Sequence, residues 1–264
     1  MRVRVLGSGS SGNVLFVESG ETRVLIDVGL SAKETVRRLV DCGIDPATID
    51  GVVLTHEHSD HMRGVSVFVR NYDIPVYASP RTREACNFGG FEERMTFHDI
   101  ESSGPFQIGA LDFHPFTVPH DAVDSYAFAV ESGGAKVALV TDLGYITRLV
   151  CDRVRGADVL ILESNHDVEM LKICPQYPWS LKQRVLSKHG HLSNESVTKF
   201  LARDFDGKAE HLVLAHLSKN TNHPQLALLA ARTGLEARGS LFFKDMDRRL
   251  SLADPDAPGP WINL

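Results

Sequence analysis

Val52-Val53-Leu54-Thr55 leads directly into His56-Glu57-His58-Ser59-Asp60-His61, an apolar strand pattern running into a cluster of polar donors. His56, His58, Asp60 and His61 fall within six positions. On one regular element these side chains would point in different directions, but at a strand end, where the chain loops into a helix, they can fold round two metal ions. Mixed imidazole and carboxylate donors suit Zn²⁺, with Mn²⁺ or Fe²⁺ as further options. The H-x-H-x-D-H spacing is specific enough to outweigh a solvated polar loop.

The same arrangement recurs along the chain. Asp27 ends Val24-Leu25-Ile26, His120 follows Thr117-Val118-Pro119, Asp142 ends Val137-Ala138-Leu139-Val140-Thr141, and His216 ends Leu212-Val213-Leu214-Ala215. An apolar strand closed by one acid or imidazole, repeated five times, is how a sheet scaffold aims distant residues at one rim. Further strand patterns fall at residues 2–6, 14–18, 76–78, 113–118, 126–131 and 159–162. A capping-box start at Ser31-Ala32-Lys33-Glu34 predicts a helix stopping at Gly43, and another helical pattern follows His61. Helices are also predicted around residues 146–154, 181–187, 195–202 and 225–231. Two packed β-sheets with helices outside, in one domain spanning residues 1–264, is the architecture these patterns predict. The proline-rich residues 254–260 read as a loop or frayed end, leaving roughly the last ten residues as a tail.

Composition narrows the function. The 264 residues, 43% hydrophobic and 23% charged, are ordinary for a globular domain and wrong for disorder or a disulfide miniprotein. Cys42, Cys86, Cys151 and Cys174 form no C-x-x-C pair and read as small buried hydrophobes with reduced thiols. No apolar run is long enough to span a membrane, and the stretch from Met1 to Gly7 is too short for a signal peptide, so a cytoplasmic location is expected. The net charge of -6 speaks against bulk electrostatic wrapping of nucleic acid. Gly7-Ser8-Gly9-Ser10-Ser11-Gly12 fits the dinucleotide fingerprint, but the strand-like Val14-Leu15-Phe16-Val17 follows it where a helix is required. A tight turn approaching a neighbouring site is the expected role. The 12 histidines are the unusual feature.

Asp27, the stretch His56 to His61, His120, Asp142 and His216 resemble, in order, the five motifs of the metallo-β-lactamase-fold hydrolases. The resemblance implies an α/β (α+β) fold, a four-layer αβ/βα sandwich with a binuclear site at one edge. It implies that His56, His58 and His120 hold one ion, Asp60, His61 and His216 the other, with Asp142 bridging and Asp27 bracing the loop. His58 matches the hydrolase pattern, whereas di-iron relatives carry a carboxylate there. In this chemistry two divalent ions about 3.5 to 4 Å apart activate a shared hydroxide, polarise the substrate and steady the leaving group.

The opening Leu6-Gly7-Ser8-Gly9-Ser10-Ser11-Gly12-Asn13, then Leu162-Glu163-Ser164-Asn165-His166-Asp167, the stretch from Tyr177 to Arg184, Gly190-His191-Leu192-Ser193-Asn194 and the stretch from Leu214 to Asn220 look like the YycJ/WalJ-type branch, related to ribonuclease Z. That branch implies a metal-dependent phosphodiesterase acting on nucleic acid, DNA before RNA, as a 5′-to-3′ exonuclease. By the same resemblance His191 is the general acid for the leaving alkoxide, oriented by Glu163, and Asp60 joins them as a catalytic residue. Asn220-Thr221-Asn222-His223-Pro224 departs from the branch's paired asparagines before proline and puts a substrate role for Thr221 in doubt. Lys182, Arg184 and Lys188 could extend a positive field along a strand, and no aromatic stacking platform is evident. Two divalent ions and one hydroxide would bring the charge of -6 to about -3, with positive potential concentrated at the site. His98, His114, His166, His189, His211 and His223 carry no motif role beyond a weak family match for His166, and surface or core placement is expected of them. The alternatives are a small-molecule hydrolase (thioesterase, lactonase or cyclic-phosphodiester hydrolase), or a non-catalytic binding module, disfavoured because every ligand position is filled. The patterns leave open whether the chain forms a homo-oligomer.

Overall fold

Short strands buried on alternate faces, joined by turns and amphipathic helices, make two halves of similar design in the computed structural model, which describes residues 1–102, 104–239 and 246–264. The first half contains β1 (Arg2–Gly7), β2 (Val14–Ser19), β3 (Thr22–Ile26), α1 (Ala32–Asp41), β4 (Gly51–Val53), α2 (Ser59–Met62), α3 (Val65–Tyr72), β5 (Val76–Ala78), α4 (Pro80–Ala85) and β6 (Phe97–Asp99). The second contains β7 (Phe106–Ile108), β8 (Leu111–Thr117), β9 (Tyr126–Ser132), β10 (Ala135–Val140), α5 (Arg148–Val154), β11 (Val159–Glu163), α6 (Val168–Ile173) and α7 (Trp179–Val185). It continues through α8 (Asn194–Arg203), β12 (His211–Ala215), α9 (Pro224–Arg238), α10 (Met246–Arg249), β13 (Leu250–Leu252) and β14 (Ile262–Asn263).

The strand orders are β14-β1-β2-β3-β4-β5-β6 and β13-β12-β11-β10-β9-β8-β7. In each sheet one half is parallel, β3 to β6 in the first and β10 to β13 in the second. Alternation assigns the layers. On β11, Val159 and Ile161 face the other sheet, whereas Leu160 and Leu162 face α5, α8 and α9. On β2, Leu15 and Val17 face inward, and Val14 and Phe16 pack under α1 and α3. A strand covered on both faces must be apolar throughout, which explains the unbroken runs in sequence. The result is the αβ/βα sandwich.

Ser31 caps α1 by accepting from the Glu34 amide at 3.2 Å, and Gly43 ends it with a φ of 75°. The Glu34 carboxylate does not close a capping box; it binds Arg37 and the buried Arg38. Arg38 in turn donates to the carbonyls of Leu6 at 2.6 Å and Pro255 at 3.1 Å, joining α1 to β1 and to the C-terminal segment.

Several expectations change. Residues 254–260 form a loop, as expected, but the last ten residues are not a frayed tail: Ile262 pairs with Val3, Trp261 packs edge-on against Phe16, and Arg4 donates to the Gly259 carbonyl. Their proline-rich composition was legible, but their partners are more than 200 residues away. Strands β6, β7, β13 and β14 and helices α4, α6 and α10 were not read; each has six residues or fewer, and a pattern that short registers only where an apolar run sets it off, as at residues 76–78. The helix expected at 181–187 begins earlier, at Trp179, after Pro178. Of the four cysteines, all free, Cys86 and Cys174 are buried while Cys42 and Cys151 are only half-buried. Among the described residues, no helix is long and apolar enough to cross a membrane.

Hydrogen bonds from Arg37 and Arg38 lower the Glu34 pKa to about 2 from 4.5. This group therefore contributes stability that is complete above about pH 4.5 and lost as pH falls through about 2. Comparing urea midpoints of wild type and Glu34→Gln should give a gap present at pH 7 that closes between pH 4.5 and 2. A gap independent of pH would show that the ion pairs contribute nothing.

Candidate metal centre

The site residues gather where the C-terminal ends of the parallel strands of both sheets meet, the usual place for ligands in such sheets. Asp27 follows β3, the loop from Thr55 to His61 follows β4, Asp142 follows β10, Glu163 ends β11 and His216 follows β12. His120 arrives from the loop after β8. Asp27, Asp142 and His216 have φ values of 61°, 60° and 55°. A left-handed residue directly after a strand turns the chain sharply away from the sheet. Asp tolerates this conformation better than most residues, whereas His216 carries more of its cost.

The metal-ligand candidates lie together at this rim. Donor atoms of His56, His58 and His120 lie within 4.8 Å of one another, as do those of Asp60, His61 and His216, and those of His56, His61 and Asp142. The tautomers are fixed from behind. His61 Nδ1 meets Asp27 Oδ2 at 2.7 Å, His216 Nδ1 meets Glu163 Oε1 at 2.7 Å, His120 Nδ1 meets the Gly190 carbonyl at 3.1 Å, and His56 Nδ1 meets Thr55 Oγ1 at 2.9 Å. Thr55 Oγ1 itself donates to Asp27 Oδ2, so it can accept from His56. Each of these four imidazoles thus turns its Nε2 toward the centre, where Asn13 Nδ2 lies 3.1 Å from that of His61. His56 Nε2 is buried with no hydrogen-bond partner, and so is Asp142 Oδ2, although His61 Nε2 is 3.2 Å from it. Orphaned buried donors and acceptors are costly, and here they converge with the other donors, so the residues fit divalent cations.

Electrostatics divides the imidazoles. Burial opposes charge on His61 and His216, but neighbouring carboxylates, Asp142 foremost, outweigh it and hold both well above the ordinary histidine range. Burial holds His56 well below that range and also lowers His120.

Glu163 is fully buried. Its Oε1 accepts from His191 Nδ1 at 2.8 Å as well as from His216, and its Oε2 accepts the amides of Leu143 at 3.1 Å and Leu192 at 2.9 Å. These contacts overcome the burial that would raise its pKa and bring it to about 2. The sequence linked Glu163 to His191; its second bond, to His216, depends on a strand neighbour that spacing does not reveal. His191 lies beside the cluster, its Nδ1 3.6 Å from Asp142 Oδ1, and lines the pocket with His58, Asp60, Asp142 and His216.

The glycine-rich loop is a tight turn, as expected, and its target is the site. A Cβ on Gly12, whose φ is 149°, would lie 2.6 Å from the Gly29 carbonyl carbon, and one on Gly29 would lie 1.6 Å from the Asp60 carbonyl oxygen. This approach lets the Asn13 amide donate to the Asp60 carbonyl at 2.8 Å and sets Ser8 Oγ to accept the His216 amide at 2.8 Å. Thr55 was missed, and Ser8 and Asn13, although inside a stretch that resembles the branch, were given no site role. The signal for Asn13 and Ser8 was their place in a loop required to approach something closely.

Other doubtful positions resolve. Thr221 is fully buried and does not line the pocket; its carbonyl accepts the Asp167 amide. His166 is buried near Glu163, with burial bringing its pKa to about 4, so the core reading holds there. His98 stacks on Tyr77, and His223 caps α9.

Residues 22–217 match the family described as "Beta-lactamase superfamily domain". The chain is 38% identical over 238 residues to "Exodeoxyribonuclease YycJ" of Bacillus anthracis, covering 89% of each. It is 36% identical over 226 residues to "Exodeoxyribonuclease WalJ" of Streptococcus pneumoniae, covering 84% of each. The crystal structure of Zn²⁺-bound PqqB from Methylobacterium extorquens superposes on the whole chain with a TM-score of 0.72 at 18% identity, a likeness of fold.

Glu163→Gln keeps the shape and removes the charge that two imidazoles share. Divalent-ion affinity, measured by competition with a chromophoric chelator, should fall by about 10- to 100-fold. Wild-type affinity in that variant would show that Glu163 does not support the site.

Proposed function

This chain belongs to the beta-lactamase superfamily, and we propose that it is a metal-dependent phosphodiesterase acting on nucleic acid, a 5′-to-3′ DNA exonuclease. The activity belongs to one domain, residues 1–264, in the cytoplasm. The observation that carries the reading is His191, held by a buried carboxylate at the wall of a pocket lined by the metal-ligand candidates. Donor atoms of His191, Asp142, Glu163 and His216 also lie within 4.8 Å of one another, and the bond of His191 Nδ1 to Glu163 leaves its Nε2 for the pocket. The relation to two exodeoxyribonucleases at 38% and 36% identity supports the same reading over a small-molecule hydrolase.

His56, His58 and His120 would hold one ion, Asp60, His61 and His216 a second, and Asp142 would lie between them; zinc suits this donor set, as do manganese and iron. When bound, the ions supply Lewis acidity toward the phosphoryl oxygens and lower the pKa of attacking water. The chain supplies the rest. Asp27, Glu163, Thr55 and the Gly190 carbonyl fix ring orientation. Asp60 faces the same centre, its Oδ2 3.2 Å from His216 Nε2, where a carboxylate oxygen can accept a hydrogen bond from the attacking water. His191, with Nδ1 bound to Glu163, keeps Nε2 for the leaving sugar oxygen. Although burial disfavours its charge, Glu163 and Asp142 raise its pKa, so it holds the proton that an alkoxide leaving group needs.

The test is incubation of zinc- or manganese-loaded protein with 5′- and 3′-labelled single- and double-stranded DNA and RNA. Stepwise release of nucleotides from 5′ ends of DNA is expected, and His191→Ala should lower kcat by about 10²- to 10⁴-fold. No cleavage above the level of inert His56→Ala and His191→Ala proteins would refute the nuclease reading. Ester or thioester turnover that survives His191→Ala would favour the small-molecule alternative.

A further inference from the structure

Opposite the histidine cluster, the pocket wall is made by α7 and the residue just before its proline. Tyr177, Leu181, Arg184 and Val185 line it, spaced so that one helical face looks inward. The cavity is about 320 Å³, within the range that holds a small ligand. Arg184 is its lone Lys or Arg among the described lining residues.

Arg184 is aimed. Its Nε donates to Asp121, which holds the guanidinium plane from one edge, and no described residue takes its two terminal nitrogens. The side chain is 53% exposed, open to the pocket mouth. The other two basic residues near α7 differ. Lys182 donates to the Lys172 carbonyl at 2.7 Å, and neither Lys182 nor Lys188 lines the pocket.

The wall is also tied to the reacting groups. The Val185 carbonyl, at the end of α7, accepts the His191 amide at 3.0 Å. The Gly190 carbonyl accepts from His120 Nδ1 at 3.1 Å. A Cβ on Gly190 would lie 2.2 Å from the Val185 oxygen, so the turn between Arg184 and His191 is closed tightly. Anything Arg184 holds is therefore placed in register with His191 and with the ligand cluster.

We propose that Arg184 grips a backbone phosphate next to the one being cleaved, while the apolar strip of Tyr177 and Leu181 receives the adjoining nucleoside. A planar guanidinium, oriented by one carboxylate and with two nitrogens left to donate, is suited to two oxygens of a phosphate diester. Tyr177 is itself positioned, its hydroxyl 3.4 Å from Ser218 Oγ. This assignment rests on the nucleic-acid reading of the site. It makes Arg184 a binding residue that sets the position of the chain along the pocket, with chemistry left to His191 and the metal ligands.

The test uses the full-length chain loaded with manganese and carrying His191→Ala, so that bound substrate survives, and a fluorescent single-stranded oligonucleotide read by anisotropy across a salt series. Adding Arg184→Ala should weaken binding about tenfold, the loss of one charge-assisted contact. It should also reduce the slope of log affinity against log salt by about one phosphate contact. Arg184→Lys should recover the slope but not the full affinity, because an ammonium cannot make the paired contact. Lys182→Ala, which removes the same charge one turn-face away, should bind as the parent does. Unchanged affinity in Arg184→Ala, an equal loss in Lys182→Ala, or no oligonucleotide binding by the parent would each overturn the proposal. Arg184-dependent binding, with no cleavage by the His191-containing protein, would support the phosphate contact and count against the nuclease reading alone.

Discussion

One oxygen of Glu163 serves two imidazoles, His191 and His216, from a position with no solvent access. A lone carboxylate at that depth would be strongly disfavoured unless it were neutralised. The two rings and two backbone amides make it stable, and in return it fixes both rings and the loops that carry them. Asp27 does the same work at the end of β3, accepting from Thr55 and facing His61. Each sheet thus contributes one buried carboxylate that braces an imidazole from behind, and four of the histidines that converge on the centre are oriented by these acids, a hydroxyl and a carbonyl.

That arrangement explains the backbone at the site. A strand delivers its last residue along its own direction, but the centre lies across the gap between two sheets. The left-handed turns at Asp27, Asp142 and His216 redirect the chain at the point of delivery. Such strain persists where the surroundings over-determine it, here through the hydrogen bonds of Asp27 to Thr55 and of the His216 amide to Ser8. The glycine-rich turn after β1 adds a further constraint, since its closeness to Gly29 and Asp60 leaves no room for a side chain. Packing of the sandwich and geometry of the site are consequently one problem, solved at the strand ends.

Much of this was legible in sequence because it is local. An apolar run ending in Asp or His signals both a buried strand and a donor at its rim; that pattern pointed to two packed sheets and to Asp27, His56, His120, Asp142 and His216 at one edge, while the assignment of ligands came from the family resemblance. The glycine turn was legible as a close approach but not as an approach to Asp60. What could not be read depends on pairing at long range. Nothing near Thr55 in sequence reveals that its hydroxyl links Asp27 to His56, and Glu163 finds His216 only because β11 and β12 are neighbours. The C-terminal residues looked like a tail because proline and aspartate were visible while their partners, Arg4 and Arg38, were not. Three basic residues near α7 looked equivalent in sequence, and the helix's orientation separates Arg184 from the other two.

Divalent cations between the inward-facing nitrogens and carboxylate oxygens would satisfy them all, and elemental analysis of the protein purified without chelators reads their number. Two divalent ions per chain are expected, with loss of both in a variant combining His56→Ala and His216→Ala that retains its fold by circular dichroism. A wild-type chain without bound metal, or the same metal content in the double variant, would contradict that expectation.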